Sequence, residues 1–99
     1  MATGRIDPEG NETEALHGIV DFSGKDVLEI GCGSGRMTWM YADEASSVLA
    51  IDLDEPEIAA ARKQLPAGLA PKVSFQVADA TTAPLEPESY DMVVLAWSI

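Results

Sequence analysis

Three glycines on alternate positions, Gly31, Gly33 and Gly35, follow directly on the apolar run Val27-Leu28-Glu29-Ile30. Glycines there permit positive φ and let a bound group approach the backbone. The helix start beyond Gly35 would offer free N–H groups to an anion such as a carboxylate or phosphate. A tight turn alone needs one such glycine, not three. Inside the apolar run sits an acid, Glu29. An ionised carboxyl near the middle of a sheet is costly unless something pairs with it. Either backbone N–H groups at the strand's end satisfy it, or a cationic ligand lies close by.

More acids follow at matching places. Asp52 closes a second apolar run, Val48-Leu49-Ala50-Ile51, 21 residues after Gly31. A carboxylate there can accept both hydroxyls of a ribose, as the acid of dinucleotide-binding sheets does; otherwise it is a turn or capping residue. Leu53 beside it can pack on a flat base, and Asp54 reads as a helix cap. Asp79 follows a third run and can accept the exocyclic amine of an adenine, or simply close a turn. Asp91 precedes the fourth run, at the wrong end of a sheet for ligand binding. Cys32 has no general base placed beside it and reads as a small residue between glycines. His17, Met37, Trp39 and Met40 read as surface or packing residues, and Trp97 as packing or a pocket wall. No general base can be named.

The glycine spacing is GxGxG. The dinucleotide fingerprint needs a small residue where this chain has Arg36, and the phosphate loop of nucleotide hydrolases needs a GK[ST] that is absent. A pyrophosphate cofactor is the weaker candidate.

The elements that must position these residues are legible. Asn11 can cap a helix running to about Asp21, with Glu14 as its capping-box partner. Val27 to Ile30 is a strand. Arg36 to about Glu44 carries Met37, Met40 and Tyr41 at helical spacing. Val48 to Ile51 is a second strand, and Asp54 opens a helix with Pro56 in its first turn and Glu57 completing a capping box. That helix shows Ile58, Ala61 and Leu65 on one face and stops before Pro66. Val73, Phe75 and Val77 alternate with polar residues as a third strand, with one wetter face. Met92 to Trp97 is a fourth, continuous apolar strand. Continuous apolar strands alternating with helices specify a parallel sheet covered on both faces. The fold class is therefore α/β, a Rossmann-like doubly wound sheet, whose ligands bind at the carboxyl ends of the strands.

The chain of 99 residues carries a formal charge of −11, with 46% hydrophobic residues, 23% charged residues and a single cysteine. Length bounds it to one small domain. The six basic residues form no stripe of the kind nucleic acids need, and anionic membrane surfaces are disfavoured on the same ground. No apolar run approaches the ~20 residues of a membrane helix. These features point to a cytoplasmic protein, with no disulfide framework or metal site.

Taken together, VLEIGCGSGRMT, IDLDE and VSFQVADATTAPLEPESYDMVVLAWSI resemble the motifs of the class I S-adenosylmethionine-dependent methyltransferases, in the broad group that includes small-molecule and quinone-biosynthesis enzymes. The resemblance covers about Asn11 to Ile99, and is specific for fold and cofactor rather than for the methyl acceptor. It implies that Gly31, Gly33 and Gly35 shape the turn under the methionine part of S-adenosylmethionine, with Glu29 near its amino-acid end. It implies that Asp52 binds the ribose diol, Leu53 flanks the adenine, Asp79 and Ala80 meet the adenine edge, and Ala96 offers backbone contacts near the ammonium. A sulfonium and an ammonium suit a loop ringed by acids, whereas a pyrophosphate would be repelled.

The family's sheet has seven strands, and the pattern here stops after the fourth. The expected order is 3-2-1-4, with residues 1–10 a polar tail and residues 11–99 the N-terminal, cofactor-binding part of a truncated domain, inactive alone. The fourth strand would then be a bare apolar edge, open to association. The expected acceptor is a small molecule. Competing readings are a nicotinamide-dependent oxidoreductase domain, against which Arg36 and Glu29 argue, and a non-catalytic module that binds S-adenosylmethionine or a partner chain.

Overall fold

The computed structural model describes residues 2–6, 21–82 and 86–96. The expected helix from Asn11, His17 within it, and Trp97 lie outside the described residues. Five strands form one sheet: β1 (Ala2–Ile6), β2 (Asp26–Ile30), β3 (Ser47–Asp52), β4 (Val73–Val77) and β5 (Met92–Ala96). Among the described residues, two helices, α1 (Thr38–Tyr41) and α2 (Glu55–Gln64), and a 3-10 turn at Pro87–Ser89 connect the strands from β2 to β5. The order is β1-β5-β2-β3-β4, and every adjacent pair is parallel. Within it, β4-β3-β2-β5 is the expected 3-2-1-4.

One strand was not expected. Ala2–Ile6, read as part of a polar tail, pairs in register with Met92–Ala96. The edge that the sequence leaves open for association is therefore covered by the chain itself. Apolar alternation is absent from ATGRI, which is why periodicity misses it. An outer strand needs backbone pairing more than an apolar face.

The inner strands are built from residues that tolerate burial on both faces. Val27, Leu28 and Glu29 of β2 and Ala50 and Ile51 of β3 are buried. Phe22 stacks on Tyr41 with ring centroids 4.4 Å apart, and both belong to the core that holds Val27, Val48, Ile58, Phe75 and Val94. At the amino ends of the strands, Asp91 accepts from the Asp26 N–H at 2.8 Å and donates its own N–H to the Asp26 carbonyl at 2.8 Å. This aspartate is a clamp between β2 and β5.

Asp54 caps α2, accepting from the Glu57 N–H at 3.2 Å. Glu55 and Glu57 lie in the first turn, and Arg62 and Lys63 in the last, as the helix dipole favours. Ile58 and Ala61 are its buried face. Helix α1 is shorter than its spacing predicts. Bonds spanning three residues, Met40 to Met37 and Glu44 to Tyr41, tighten its flanks into turns.

Strand β4 is the other edge. Val73 and Phe75 are buried, but Val77 is 45% exposed against the expected alternation. It lies at the carboxyl end of the edge strand, lining an open groove of about 460 Å³ with Glu55, Ile58 and Arg62. The Arg62 guanidinium donates to the Phe75 carbonyl at 2.7 Å. Lys72 and Ala78 pair with β3, so alternation turns the Phe75 carbonyl outward, and Arg62 covers part of an edge open to strand addition. Among the described residues no helix is long and apolar enough to cross a membrane.

Candidate functional site

From β2 the chain runs outward through β3 to β4, then returns to the other side of β2 as β5. That reversal opens a crevice at the carboxyl ends of β2 and β5. Gly31 leaves β2 there with φ +82°, and a Cβ on it would stand 2.2 Å from the Ala96 carbonyl oxygen at the end of β5. The Gly31 and Cys32 N–H groups both donate to the Ile51 carbonyl, at 2.9 and 3.1 Å. The loop is thus laid over the end of β3.

This brings Gly33, at φ +56°, to Asp52. Its N–H donates to Asp52 Oδ2 at 2.8 Å, and the Asp54 N–H donates to Oδ1 at 2.8 Å. Both oxygens are fixed by backbone donors, and each keeps further acceptor capacity. An open cavity of about 210 Å³ lies beside them, lined by Ile30, Gly31, Ile51, Asp52, Leu53, Ala78, Asp79 and Ala80. It is below the ~300–1,000 Å³ of a pocket that engulfs a drug-sized ligand, so it suits one ring system rather than a whole nucleoside conjugate. Leu53 is 69% exposed and forms one wall. Asp79 accepts from both the hydroxyl and the N–H of Thr81, at 2.6 and 2.8 Å, through Oδ1 alone. Those bonds, the hydroxyl's first, hold its carboxyl below the usual carboxylate range. Asp79 Oδ2 has no partner among the described residues.

Five of the nine singled-out residues, Gly31, Asp52, Leu53, Asp79 and Ala80, thus share one cavity. Gly33 joins them through Asp52, and Ala96 through the close approach to Gly31. Gly35, at φ +93°, packs elsewhere: a Cβ there would stand 2.7 Å from the Trp39 ring. Glu29 lines no part of the cavity. It is fully buried, and among the described residues neither backbone N–H groups nor a cation satisfy it. Thr38 donates to its Oε1 at 2.9 Å, and so does the Tyr41 hydroxyl, while Oε2 has no partner among the described residues. Burial pushes this carboxyl up to about 7 against the pull of the two hydroxyls. Glu29 therefore ties β2 to α1 and brackets the glycine loop from below. Sequence reasoning missed Thr38 and Tyr41. The signal was the buried acid itself, which demands donors, with two hydroxyl residues three apart in the following helix.

Glu57 was missed for another reason. Read as half of a capping box, its carboxylate should return to the Asp54 N–H, but Asp52 already accepts that N–H. The Glu57 carboxylate lies over the loop instead, with Oε2 3.3 Å from where a Gly33 Cβ would be.

Cys32 is buried, and its thiol is pushed up to about 12 by burial first and then by the charges of Glu29, Asp52 and Glu57. A thiol so protonated is a poor nucleophile. Iodoacetamide at pH 8 is expected to leave the native chain unmodified over a period that fully alkylates it in 6 M guanidinium. Equal rates by mass spectrometry would contradict a closed loop.

Comparison with known proteins bears on the same residues. Residues 27–99 match the family described as Methyltransferase domain. The chain is 34% identical to Methyltransferase GfsG of Streptomyces halstedii, over 95% of this chain and 35% of that one. It is 33% identical to the Ubiquinone biosynthesis O-methyltransferase of Pseudomonas fluorescens, over 75% of this chain and 32% of that one. Among solved structures, Phosphoethanolamine N-methyltransferase 1 of Haemonchus contortus, in complex with phosphoethanolamine and S-adenosylhomocysteine, superposes with a TM-score of 0.74 at 30% identity, over 86% of this chain and 18% of that one. The chain thus spans about a third or less of the length of these relatives. The family match takes in the glycine loop, Asp52, Asp79 and the last strand, and it runs over most of the sequence: the chain belongs to the class I S-adenosylmethionine-dependent methyltransferases.

Proposed function

We propose that this chain is the cofactor-binding part of a methyltransferase that moves the sulfonium methyl of S-adenosylmethionine to a small-molecule acceptor. The observation that carries the reading is Asp52, an acid fixed at both oxygens by backbone donors beside a cavity of about 210 Å³ that suits one flat base. Asp52 would accept the ribose hydroxyls, Leu53 would cover one face of the adenine, and Asp79 Oδ2 would accept its amine beside Ala80. Gly31, Gly33, Gly35 and the Ala96 carbonyl would border the amino-acid end, with Glu29 acting through the loop from beneath. When bound, the cofactor supplies an electrophilic methyl on a cationic sulfur. This chain's own part is to orient it, and positioning alone accounts for much of such catalysis.

The small-molecule acceptor rests on relatives named for ubiquinone biosynthesis and for magnesium-protoporphyrin. Residues 11–99 form the proposed unit, with Ala2–Ile6 added to its sheet, and turnover requires more than these residues. The acidic composition and single cysteine support a cytoplasmic setting.

Calorimetric titration with S-adenosylhomocysteine tests the reading. Binding is expected, with Asp52→Ala weakening it about tenfold to a hundredfold, as for hydrogen bonds to a charged group. NADH is expected not to bind. NADH binding in place of S-adenosylhomocysteine would overturn the reading.

A further inference from the structure

Gly33 has a carboxylate on each side. Asp52 holds its N–H at 2.8 Å, and Glu57 Oε2 stands 3.3 Å from the position its Cβ would take. The two acids come from different elements, the end of β3 and the first turn of α2. Asp52 is turned toward the cavity, and the structure already assigns it two backbone partners. Glu57 has another placement. Its N–H is held by Asp54 at 3.2 Å, which fixes the root of the side chain, and the absence of a side chain at Gly33 gives the carboxylate its seat. The neighbouring thiol of Cys32 registers the result, since Glu57 joins Glu29 and Asp52 in disfavouring its ionised form. The field at the loop is therefore set chiefly by the carboxylates of Asp52 and Glu57, with Glu29 fully buried beneath them and holding its proton up to about pH 7.

We infer that Glu57 is a charge-selecting residue of the proposed cofactor site, one that favours the sulfonium of S-adenosylmethionine over the neutral thioether of S-adenosylhomocysteine. The inference rests on the cofactor reading above. The two ligands carry the same adenosine, ammonium and carboxylate, and differ by one methyl and one positive charge. A carboxylate over the loop attracts the charged form by Coulomb interaction and gives the neutral form nothing of the kind. The consequence is directional. The methyl donor is held, and the spent by-product is released more readily from the same contacts.

The test compares the affinities of both ligands for the 99-residue chain and two variants by calorimetry. Glu57→Gln keeps the length, the exposed setting and the N–H that caps α2. It is expected to weaken S-adenosylmethionine about threefold to tenfold, and to leave S-adenosylhomocysteine within about twofold, at low ionic strength. Glu55→Gln removes the same charge two residues away, but Glu55 lines the groove at the β4 edge with Arg62. Its affinity ratio is expected to stay at the wild-type value. Raising salt to ~1 M shortens the screening length to ~3 Å and should bring the wild-type ratio toward that of Glu57→Gln. If both ligands bind and the ratio is the same in wild type and Glu57→Gln, the inference falls while the cofactor reading stands. If Glu55→Gln shifts the ratio equally, net charge rather than position is responsible, and the inference falls again. If neither ligand binds the wild type, the cofactor reading fails and takes the inference with it.

Discussion

Gly31→Ala is expected to lower the unfolding free energy by roughly 3–5 kcal/mol, from a left-handed backbone that a Cβ resists and from a collision with neighbouring backbone. The comparison that isolates the second effect is Gly24→Ala. Both glycines have positive φ, +82° and +69°, but nothing lies within 4 Å of a Cβ on Gly24, whereas the Ala96 carbonyl oxygen lies 2.2 Å from one on Gly31. Gly24→Ala should therefore cost only about 1–2 kcal/mol. In Gly31→Ala the oxygen in the way is backbone and belongs to a paired strand, so no side-chain rotation relieves it. The ends of β2 and β5 must separate. Against a total stability of about 5–15 kcal/mol for a small domain, the urea midpoint of Gly31→Ala should fall well below that of Gly24→Ala. Similar midpoints for the two variants would show that β2 and β5 are not in contact at Gly31.

Glu29 should make the protein lose stability as pH rises, the reverse of what a paired surface carboxylate does. Its folded-state value, about 7, lies above the ordinary 4.5 because burial disfavours the charge. Between those values the folded chain keeps a proton that the unfolded chain has released. Stability is therefore fully present below pH 4.5, falls through the window, and is lost above pH 7. The shift corresponds to roughly 3 kcal/mol. Glu29→Gln retains an oxygen for Thr38 and Tyr41 and cannot ionise, so its stability should lack this slope. The measurement is urea unfolding of both chains at pH 5 and pH 8, read as the difference between them. That difference removes the general effect of the chain's acidic charge. A wild type that gains on Glu29→Gln as pH rises would mean that the carboxylate finds a cation or further donors in the folded state.

Much of the fold was legible, and the reasons are local. Apolar runs such as Val48-Leu49-Ala50-Ile51 are long enough to mark buried parallel strands, and Asp54 with Pro56 marks a helix start with little competition. The order of the inner strands follows from the family pattern those runs resemble. What failed was decided by partners distant in sequence. Ala2–Ile6 has no apolar period and becomes a strand only because β5 offers it a ladder. Glu57 reads as a cap because the capping box is a local rule, and its carboxylate goes elsewhere because Asp52, from the preceding strand, already accepts the Asp54 N–H. The site divided in the same way. The cavity-lining residues sit at strand ends that a pattern can find. Thr38 and Tyr41 serve a buried acid, a role visible only once α1 is folded against β2.

The pairing of Ala2 with Met92 also sets an order in time. Of the described strands, the one synthesised earliest completes its ladder with the one synthesised latest. At ~5–20 residues per second of synthesis, β1 waits on the order of 5–20 s before β5 exists. Loop closure over so long a separation is paid late, after β2, β3 and β4 have begun to assemble. Among the described strands, β1 should therefore be the last to dock and the first to open, and its amides should exchange with solvent well before those of β2 in the sheet's interior.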